Sequence, residues 1–249
     1  MKPGKVEQYL LDKLERGERL HISLLDPLST PLDKAGEYAS FCEKSGSDAI
    51  MVGGSTVYSQ ESLDNFIKNV KARVKLPVII FPNNVQSISR QADAIWFMSL
   101  LNSVDWYYIV GAQLQGALTV KSFNLEAIPM GYVVFGSEST VAAMGRALPL
   151  SPTSHEIAVC YGLAAQYLGM RFLYLEAGSG APRPLPPSTI GAVKKAVSIP
   201  VIVGGGIQKP SDAVETCRAG ADIIVTGTAI ERDPYLLPAL VEAVKSPRI

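Results

Sequence analysis

The chain has 249 residues, of which 47% are hydrophobic, so it can bury the core of one large domain. Lys and Arg together number 23, and so do Asp and Glu together, which leaves no net charge to attract nucleic acid or an anionic membrane surface. Any anionic ligand must therefore be held by a local site.

Cysteines and apolar runs indicate the compartment. Cys42, Cys160 and Cys217 have no metal-binding spacing, and each lies in a segment with helical periodicity. The N-terminal residues lack the apolar core of a signal peptide, and no later run approaches the roughly 18 apolar residues of a membrane-spanning helix. These features predict reduced cysteines in a cytoplasmic protein without a transmembrane segment.

Strands and helices are predicted to alternate along the whole chain. The predicted strands cover residues 20–25, 48–52, 77–81, 94–101, 127–135, 172–176, 199–203 and 222–226. The predicted helices cover residues 33–45, 60–74, 105–120, 154–168, 189–197, 211–219 and 235–244. This alternation, in a chain of this length, predicts one (β/α)8 TIM barrel over residues 1–249, with a doubly wound open sheet as the alternative.

One outer helix of this barrel is predicted to be missing. Residues 83–93, between the third and fourth strands, are polar and too few for a full helix before the next apolar run. We therefore expect an irregular segment in place of the third helix. Residues 136–152 and 178–188 are rich in small residues and are predicted to be long loops.

The last third of the chain contains strand ends that carry glycine. They are Glu176-Ala177-Gly178-Ser179-Gly180, Gly204-Gly205-Gly206 and Thr226-Gly227-Thr228. The ends of barrel strands lie on one face, so these segments are expected to converge. Backbone N–H groups at such turns can hold a phosphate without a basic side chain. The glycines therefore predict an anion site, against the simpler interpretation that they only permit tight turns.

Two carboxylates at strand ends are predicted to carry the chemistry. Glu176 ends an otherwise apolar strand, so burial should raise its pKa toward that of a general base, and Tyr174 lies on the same side of the strand. Asp26 ends the first strand and, with the hydroxyl group of Ser55 or Thr56, would form a partial Mg²⁺ site. A salt bridge for Glu176 and a turn cap for Asp26 are the structural alternatives.

Aromatic and apolar residues are frequent around the third to fifth strands. They are Phe81, Trp96, Phe97, Met98, Trp106, Tyr107, Tyr108, Tyr132 and Phe135. Such residues most often form core or an oligomer interface, and an elongated groove for an apolar ligand is the alternative. His21, near the start of the first strand, is interpreted as a structural residue.

Several motifs, taken together, are more specific than any glycine turn alone. They are Tyr174-Leu-Glu-Ala-Gly-Ser-Gly-Ala181, Val203-Gly-Gly-Gly-Ile207, Val225-Thr-Gly-Thr228, Gly53-Gly-Ser-Thr56 and His21-Ile-Ser-Leu-Leu-Asp-Pro27. In this order they resemble the geranylgeranylglyceryl phosphate synthase family. The resemblance extends through Phe81-Pro82, Gly111-Ala112-Gln113, Pro129-Met-Gly-Tyr132 and Gly169-Met170, so it covers nearly the whole chain.

The resemblance implies a prenyltransferase that joins geranylgeranyl diphosphate to sn-glycerol 1-phosphate in archaeal membrane lipid synthesis. It also implies Mg²⁺ as cofactor, a dimer or hexamer of identical chains, and a barrel whose third helix is irregular. Peripheral contact with a membrane is a separate expectation. By position, Asp26 with Ser55 or Thr56 matches the family's Mg²⁺ site, and Glu176, Asp26 and Tyr174 are the expected catalytic residues. The glycerol-phosphate site matches Tyr174, Leu175, Glu176, Ala177, Gly178, Ser179, Gly180, Gly204, Gly205, Thr226, Gly227 and Thr228.

The chain departs from the family at two places where a positive charge is expected. Family members commonly have Asp-Lys after the Asp-Pro pair, where this chain has Leu28-Ser29, and a lysine is absent after Pro152. Arg90, Lys121 and Arg146 are the cations that could grip a prenyl diphosphate instead.

Two other functions stay open at this point. A phosphate-binding isomerase or lyase on the same barrel would need a second acid–base group opposite the first, and the fifth strand ends in residues 131–136 without a carboxylate. A non-catalytic binder of a phosphate ligand would result if the missing lysines had abolished the activity.

Overall fold

A computed structural model describes residues 2–54, 59–136 and 139–246. Its strands are β1 (Leu20–Leu25), β2 (Ala49–Val52), β3 (Val78–Ile80), β4 (Ala94–Leu100), β5 (Glu126–Val134), β6 (Phe172–Glu176), β7 (Val201–Gly204) and β8 (Ile223–Thr226). Within the described residues these strands form one closed parallel barrel in chain order, with β8 paired to β1. The predicted TIM barrel is confirmed, and the open sheet is excluded.

Helices surround the barrel and follow most of its strands. They are α1 (Lys5–Glu15), α2 (Ala35–Lys44), α3 (Gln60–Lys71), α4 (Ala112–Ser122), α5 (Thr140–Met144), α6 (His155–Tyr167), α7 (Pro187–Ala196), α8 (Pro210–Ala219), α9 (Thr228–Arg232) and α10 (Leu237–Lys245). A π-helical turn at Tyr107–Gly111 leads into α4, and a 3-10 turn at Pro234–Leu236 precedes α10. In the described part of the chain, no helix is both long enough and apolar enough to cross a bilayer.

Local signals fix several helix ends. The Ser59 side chain accepts a hydrogen bond from the Ser62 N–H at 3.2 Å and caps α3. Pro210 occupies the first turn of α8, and Gly220 ends that helix in the left-handed region at φ 114°. The sequence predicts neither α5 nor α9, because each has only five residues and is too short for a helical period to be recognised. The predicted loop over residues 136–152 is therefore wrong at α5, which Ser139 caps.

α1 fills the end of the barrel at which the strands begin. Val6 and Leu10 pack into the apolar cluster inside the barrel, with 7% and 0% exposure. The backbone N–H groups of Val6 and Glu7 donate to the Glu126 carboxylate at 2.9 and 2.8 Å, which places an acidic group at the helix N-terminus. The cavities of interest lie at the opposite end, where the strands terminate.

The barrel is closed, but its wall has a gap beside β4 beyond the end of β3. β3 has only three residues and pairs with β4 through Ile79↔Ala94 and Ile80↔Ile95, while β4 continues to Leu100. Residues 81–93, all of which are described, contain no helix, so the predicted irregular segment is confirmed. Hydrogen bonds from Gln60 to the Ile88 carbonyl at 3.1 Å and from Ser89 to Asp64 fasten this segment to α3.

Candidate active site

β6 carries the predicted base at its last position. Tyr174 and Glu176 face the inside of the barrel, whereas Leu175 packs in the apolar layer between the wall and the helices. The Glu176 carboxylate is 7% exposed and accepts the Gly178 N–H at 2.6 Å. Burial raises the pKa of Glu176 to about 7, although hydrogen bonds from Gly178 and Tyr174 oppose the rise. A carboxyl group with this pKa is partly ionised near neutral pH, as a general base requires.

Glu176 is surrounded by aromatic rings rather than by cations. Tyr174 stacks on Phe81 at a centroid distance of 5.7 Å and meets Tyr132 edge to face at 5.2 Å. Burial, and next the charge of Glu176, raise the pKa of Tyr174 well above its ordinary value, so its hydroxyl stays protonated and donates to the carboxylate. Among the described residues no Lys or Arg forms a salt bridge with Glu176, so the salt-bridge alternative fails.

The glycine turn after β7 is required by close packing against β6. A Cβ atom on Gly204 would lie 2.0 Å from the Tyr174 hydroxyl oxygen. Gly205 has φ +81°, and a Cβ atom there would lie 2.3 Å from Glu176 Oε1. Both glycines thus let the turn pack against the side chains of Tyr174 and Glu176, which is a closer approach than a tight turn alone requires.

A cavity of about 230 Å³ lies between the ends of β6, β7 and β8. The residues named from the sequence that line it are Tyr174, Glu176, Ser179, Gly180, Gly205, Thr226, Gly227 and Thr228. Its described lining contains no Lys or Arg, and α9 begins directly after Gly227. A phosphate in this cavity would therefore be held mainly by backbone N–H and hydroxyl groups, at the position where TIM barrels commonly bind phosphate.

Four of the predicted ligand-binding residues do not line this cavity. Leu175 points outward, and Gly204 makes room for Tyr174. The Ala177 N–H donates to the Gly204 carbonyl at 3.0 Å, and Gly178 hydrogen-bonds Glu176, so these residues support the cavity from behind.

The hydroxyl groups of the β8 turn have separate partners. Thr226 Oγ1 is buried outside the barrel wall and lies 2.8 Å from His21 Nε2, so Thr226 reaches the cavity only through its backbone. Thr228 Oγ1 lies 3.2 Å from Ser179 Oγ across the cavity mouth.

Asp26 borders a second and larger cavity of about 420 Å³, which Glu176 also lines. The Asp26 carboxylate is half-buried and accepts the Leu28 N–H at 2.8 Å, so it does cap a turn. Burial raises the pKa of Asp26, and hydrogen bonds from Leu28 and Ser29 oppose this rise. The predicted partners in a metal site, Ser55 and Thr56, lie outside the described residues.

The larger cavity leaves the barrel through the gap between β3 and β4. Four consecutive β4 residues line it, namely Ile95, Trp96, Phe97 and Met98. Trp96 and Met98 pack inside the barrel, whereas Ile95 and Phe97 pack outside it. A cavity can touch both faces of a strand only by passing around the wall, because successive side chains point to opposite faces.

Beyond the gap, the cavity occupies the space that the missing helix would fill. Its walls there come from residues 81–93 and from α4, including Ile88, Gly116 and Val120. Most of the aromatic residues noted in the sequence line this cavity, which favours the groove over plain core. Trp106 is 60% exposed and Phe135 is buried elsewhere, so these two do not. Sequence reasoning missed the wall residues of α4, and the only signal for them was the absent helix itself.

The cations proposed to grip a diphosphate do not line either cavity. Arg146 pairs with Asp105 at 3.0 Å, and the Arg90 guanidinium lies 4.5 Å from the centroid of the Phe123 ring. Lys121 is exposed at the end of α4. Within the described lining of both cavities there is no Lys or Arg at all.

Comparisons with known proteins agree with this geometry. The sequence matches the PcrB family over residues 13–245. Geranylgeranylglyceryl phosphate synthases from Pyrococcus abyssi and Thermococcus kodakarensis are 51% and 53% identical to it, and each alignment covers 93% of this chain and 92% of the relative. The (S)-3-O-geranylgeranylglyceryl phosphate synthase of Thermoplasma acidophilum, whose crystal structure contains the substrate sn-glycerol-1-phosphate, superposes with a TM-score of 0.93 at 42% identity, covering 98% of this chain and 99% of that one.

These matches span nearly the whole chain at high identity, and they include a solved barrel of the same architecture. The resemblance drawn from the sequence motifs is therefore confirmed. The chain belongs to the PcrB family and is a prenyltransferase of the geranylgeranylglyceryl phosphate synthase type.

Proposed function

We propose that this chain joins geranylgeranyl diphosphate to sn-glycerol 1-phosphate through an ether bond and releases diphosphate. The observation that carries the proposal is that the two cavities share one wall. Tyr174, Glu176, Ser179, Gly227 and Thr228 line both of them. A small anionic substrate and a long apolar substrate bound in the two cavities would therefore meet beside the Glu176 carboxylate.

The larger cavity suits a prenyl chain better than a sugar phosphate or other polar ligand. Its walls beyond the acidic residues Asp26, Glu176 and Glu231 are mostly apolar or aromatic, and it extends from the barrel mouth to Val120 on α4. Each methylene group that such a channel removes from water contributes about 0.8 kcal/mol. An isomerase or lyase acting on a small phosphate ester has no use for this channel, so the structure disfavours that alternative.

The proposed reaction forms one C–O bond and breaks another. The free glycerol hydroxyl oxygen attacks C1 of the prenyl group, the bond from C1 to the diphosphate oxygen breaks, and its electron pair leaves with the diphosphate. The hydroxyl proton passes to the Glu176 carboxylate, whose pKa of about 7 suits it to accept a proton near neutrality. Tyr174 donates to the same carboxylate and holds it in place.

The residues present fit a Mg²⁺ ion as the proposed cofactor. Mg²⁺ commonly takes one or two carboxylates and completes its shell with substrate phosphates and water. Asp26 offers oxygen ligands in the larger cavity, and Gly54 beside it has no side chain that would collide with the carboxylate. Among the described residues no group of three or more His, Cys, Asp or Glu is placed to hold a metal, so most ligands would come from the diphosphate. The bound ion would supply the positive charge that stabilises the departing diphosphate.

Further features belong to the proposal. We expect a homo-oligomer, because Trp106, Leu114 and Leu118 are 60%, 70% and 79% exposed on and before α4. A cytoplasmic location is expected because the three cysteines are free thiols. Brief contact of the protein with a membrane surface would accompany release of the apolar product.

Product formation tests the proposal directly. The purified protein is incubated with radiolabelled sn-glycerol 1-phosphate, geranylgeranyl diphosphate and Mg²⁺, and the organic phase is extracted. The expected result is labelled geranylgeranylglyceryl phosphate, with little product when EDTA replaces the metal. The enantiomer sn-glycerol 3-phosphate serves as the matched control and should react far more slowly. Binding of glycerol phosphate without any ether product would instead identify a non-catalytic binder.

A further inference from the structure

A buried network of hydrogen-bonded polar side chains lies on the outer side of the barrel wall, beside β1 and β8. His21 has no exposed surface, and its Nε2 lies 2.8 Å from Thr226 Oγ1. Its Nδ1 lies 3.0 Å from Ser47 Oγ, which in turn lies 2.8 Å from Ser23 Oγ. These hydrogen-bonded side chains therefore connect the end of β8, two positions of β1 and Ser47, which lies two residues before β2.

The histidine ring is fixed from several sides. Its backbone N–H donates a hydrogen bond to Asp48 Oδ2 at 2.9 Å. The other carboxylate oxygen of Asp48 forms salt bridges with Lys13 and Lys245. Burial lowers the pKa of His21 to about 4, so the ring is neutral, and one ring nitrogen donates while the other accepts. Such a network is costly to bury unless every member has a partner, and here both ring nitrogens do.

Thr226 connects this network to the smaller cavity. It is the last residue of β8, and its backbone, with Gly227 and Thr228, lines the cavity predicted to hold an anion. The backbone of Gly227 has no side chain of its own to anchor it. The side chains that anchor this turn are therefore those of its neighbours, and Thr226 supplies the buried anchor through its contact with His21. His21 itself lines neither cavity.

We infer that His21 is a positioning residue for the anion site. Through the Thr226 hydroxyl it holds the turn at Gly227 and Thr228 in the conformation that receives the phosphate of the glycerol substrate. The inference rests on the proposed function for the identity of that ligand. It goes beyond a purely structural role, because it assigns to a fully buried residue a selective effect on one of two substrates.

Two substitutions of similar polarity separate the contacts of His21. In His21→Gln the amide reaches the position of Nε2 and can keep the bond to Thr226, whereas in His21→Asn it reaches only the position of Nδ1 beside Ser47. The Kd of sn-glycerol 1-phosphate is measured by calorimetry, and KM is measured for both substrates. We expect His21→Asn to raise the Kd and KM of glycerol phosphate about tenfold and His21→Gln to raise them less than about threefold. The KM of the prenyl diphosphate should stay unchanged in both.

Thr226→Val tests the same link from the other side with little change in volume. It should also raise the Kd about tenfold, and the double variant of Thr226→Val with His21→Asn should be no weaker than either single variant, because both remove one contact. Ser23→Ala is the control, because the Ser23 hydroxyl lies at the opposite end of this hydrogen-bond network from the Thr226 hydroxyl. This variant should lower Tm without changing the Kd of glycerol phosphate.

The outcomes distinguish this inference from the proposed function. Equal affinities for His21→Asn and His21→Gln, additive effects with Thr226→Val, or equal changes in the KM of both substrates would overturn the role of His21. If His21→Asn does not fold, Thr226→Val alone decides, since an unchanged Kd would overturn the inference. If the wild-type protein binds no glycerol phosphate, the proposed function is wrong as well.

Discussion

The two ends of the cavity system are built in different ways. The smaller cavity, which is proposed to hold the anion, is formed mainly by backbone at the ends of β6, β7 and β8, packed so closely that a Cβ atom on Gly204 or Gly205 would overlap a side chain of β6. The larger, mostly apolar cavity exists because residues 81–93 form an irregular segment where a helix would otherwise fill the space. The first region should therefore be sensitive to a single methyl group, and the second mainly to the volume placed within it. Glu176 lies where the two regions join.

The largest effect is expected where both regions meet. Glu176→Gln keeps the size of the side chain but removes the proposed general base, so kcat should fall by about 10² to 10⁴ fold. Because the pKa of Glu176 is about 7, wild-type activity should also decline as pH falls below 7, and the variant should lose this limb of the pH profile. Calorimetry should find glycerol phosphate binding nearly unchanged. If the variant turns over as fast as the wild type, Glu176 has no role in the chemistry, and the wall shared by the two cavities no longer supports the proposed reaction.

The apolar region can be obstructed by volume. Gly116 lines the channel, and even a Cβ atom there would lie 3.0 Å from Ile88 Cδ1. Gly116→Phe should reduce transfer of a geranylgeranyl group by about 10 to 100 fold, and transfer of a dimethylallyl group much less. Ala117→Phe, at the next and exposed position of α4, is the matched control and should leave both rates unchanged. If both prenyl lengths are affected equally, the channel does not hold the distal part of the chain.

The anion region can be tested with two glycines of nearly equal backbone conformation. Gly205 and Gly169 have φ values of +81° and +82°, but a Cβ atom on Gly169 would meet nothing within 4 Å. Each change to alanine should cost roughly 1 to 2 kcal/mol of unfolding free energy for the left-handed conformation. Only Gly205→Ala should in addition destabilise the protein through overlap with Glu176 and Gly178, and raise the KM of glycerol phosphate by about tenfold. Similar kinetics in the two variants would mean that the turn after β7 does not contact the substrate.

The smallest expected effect concerns stability, because His21 and Glu176 make the unfolding free energy change with pH in opposite directions. The pKa of His21 falls from 6.5 to about 4 on folding, so it contributes stability that is present above pH 6.5 and is lost as pH falls through 4. The pKa of Glu176 rises from 4.5 to about 7, so it contributes stability that is present below pH 4.5 and is lost as pH rises through 7. Between pH 4.5 and 6.5 the two slopes oppose each other.

Removing one group should reveal the other. In Glu176→Gln the unfolding free energy should increase with pH more steeply than in the wild type, by at most about 1.4 kcal/mol per pH unit across this window. Asp48 and Lys245, which act on His21, and Tyr132 and Tyr174, which face Glu176, are unchanged in this comparison. Urea denaturation at several pH values measures the unfolding free energy of both proteins. If the two proteins show the same pH dependence, burial does not raise the pKa of Glu176.

The two regions also differ in how far the sequence predicts them. Glycine turns and a carboxylate at the end of an apolar strand are local signals, so the sequence alone predicts that Glu176, Gly205 and Gly227 lie on one rim. The missing helix could be predicted because residues 83–93 lack helical periodicity. The course of the channel could not, because contact between β4 and α4 across the gap depends on how far β3 extends.

A motif match also cannot predict that the side chains of Thr226 and Leu175 point away from the inside of the barrel. A motif identifies residues near a ligand, but the strand register decides which of them present a side chain to it. The register pairs Thr226 with Ser23 of β1, and the Thr226 hydroxyl contacts His21, two residues earlier on the same strand. Only the backbone of Thr226 is left to face the cavity.

The central claim is that two substrates occupy two cavities that meet at Glu176. It is tested most directly by a crystal structure with sn-glycerol 1-phosphate and the unreactive analogue geranylgeranyl thiodiphosphate bound together. We predict the phosphate at Gly205 and Gly227, the thiodiphosphate beside Asp26, and the prenyl chain along residues 81–93 toward α4. A prenyl chain bound outside this channel, or a glycerol hydroxyl far from both Glu176 and the allylic carbon, would contradict the account.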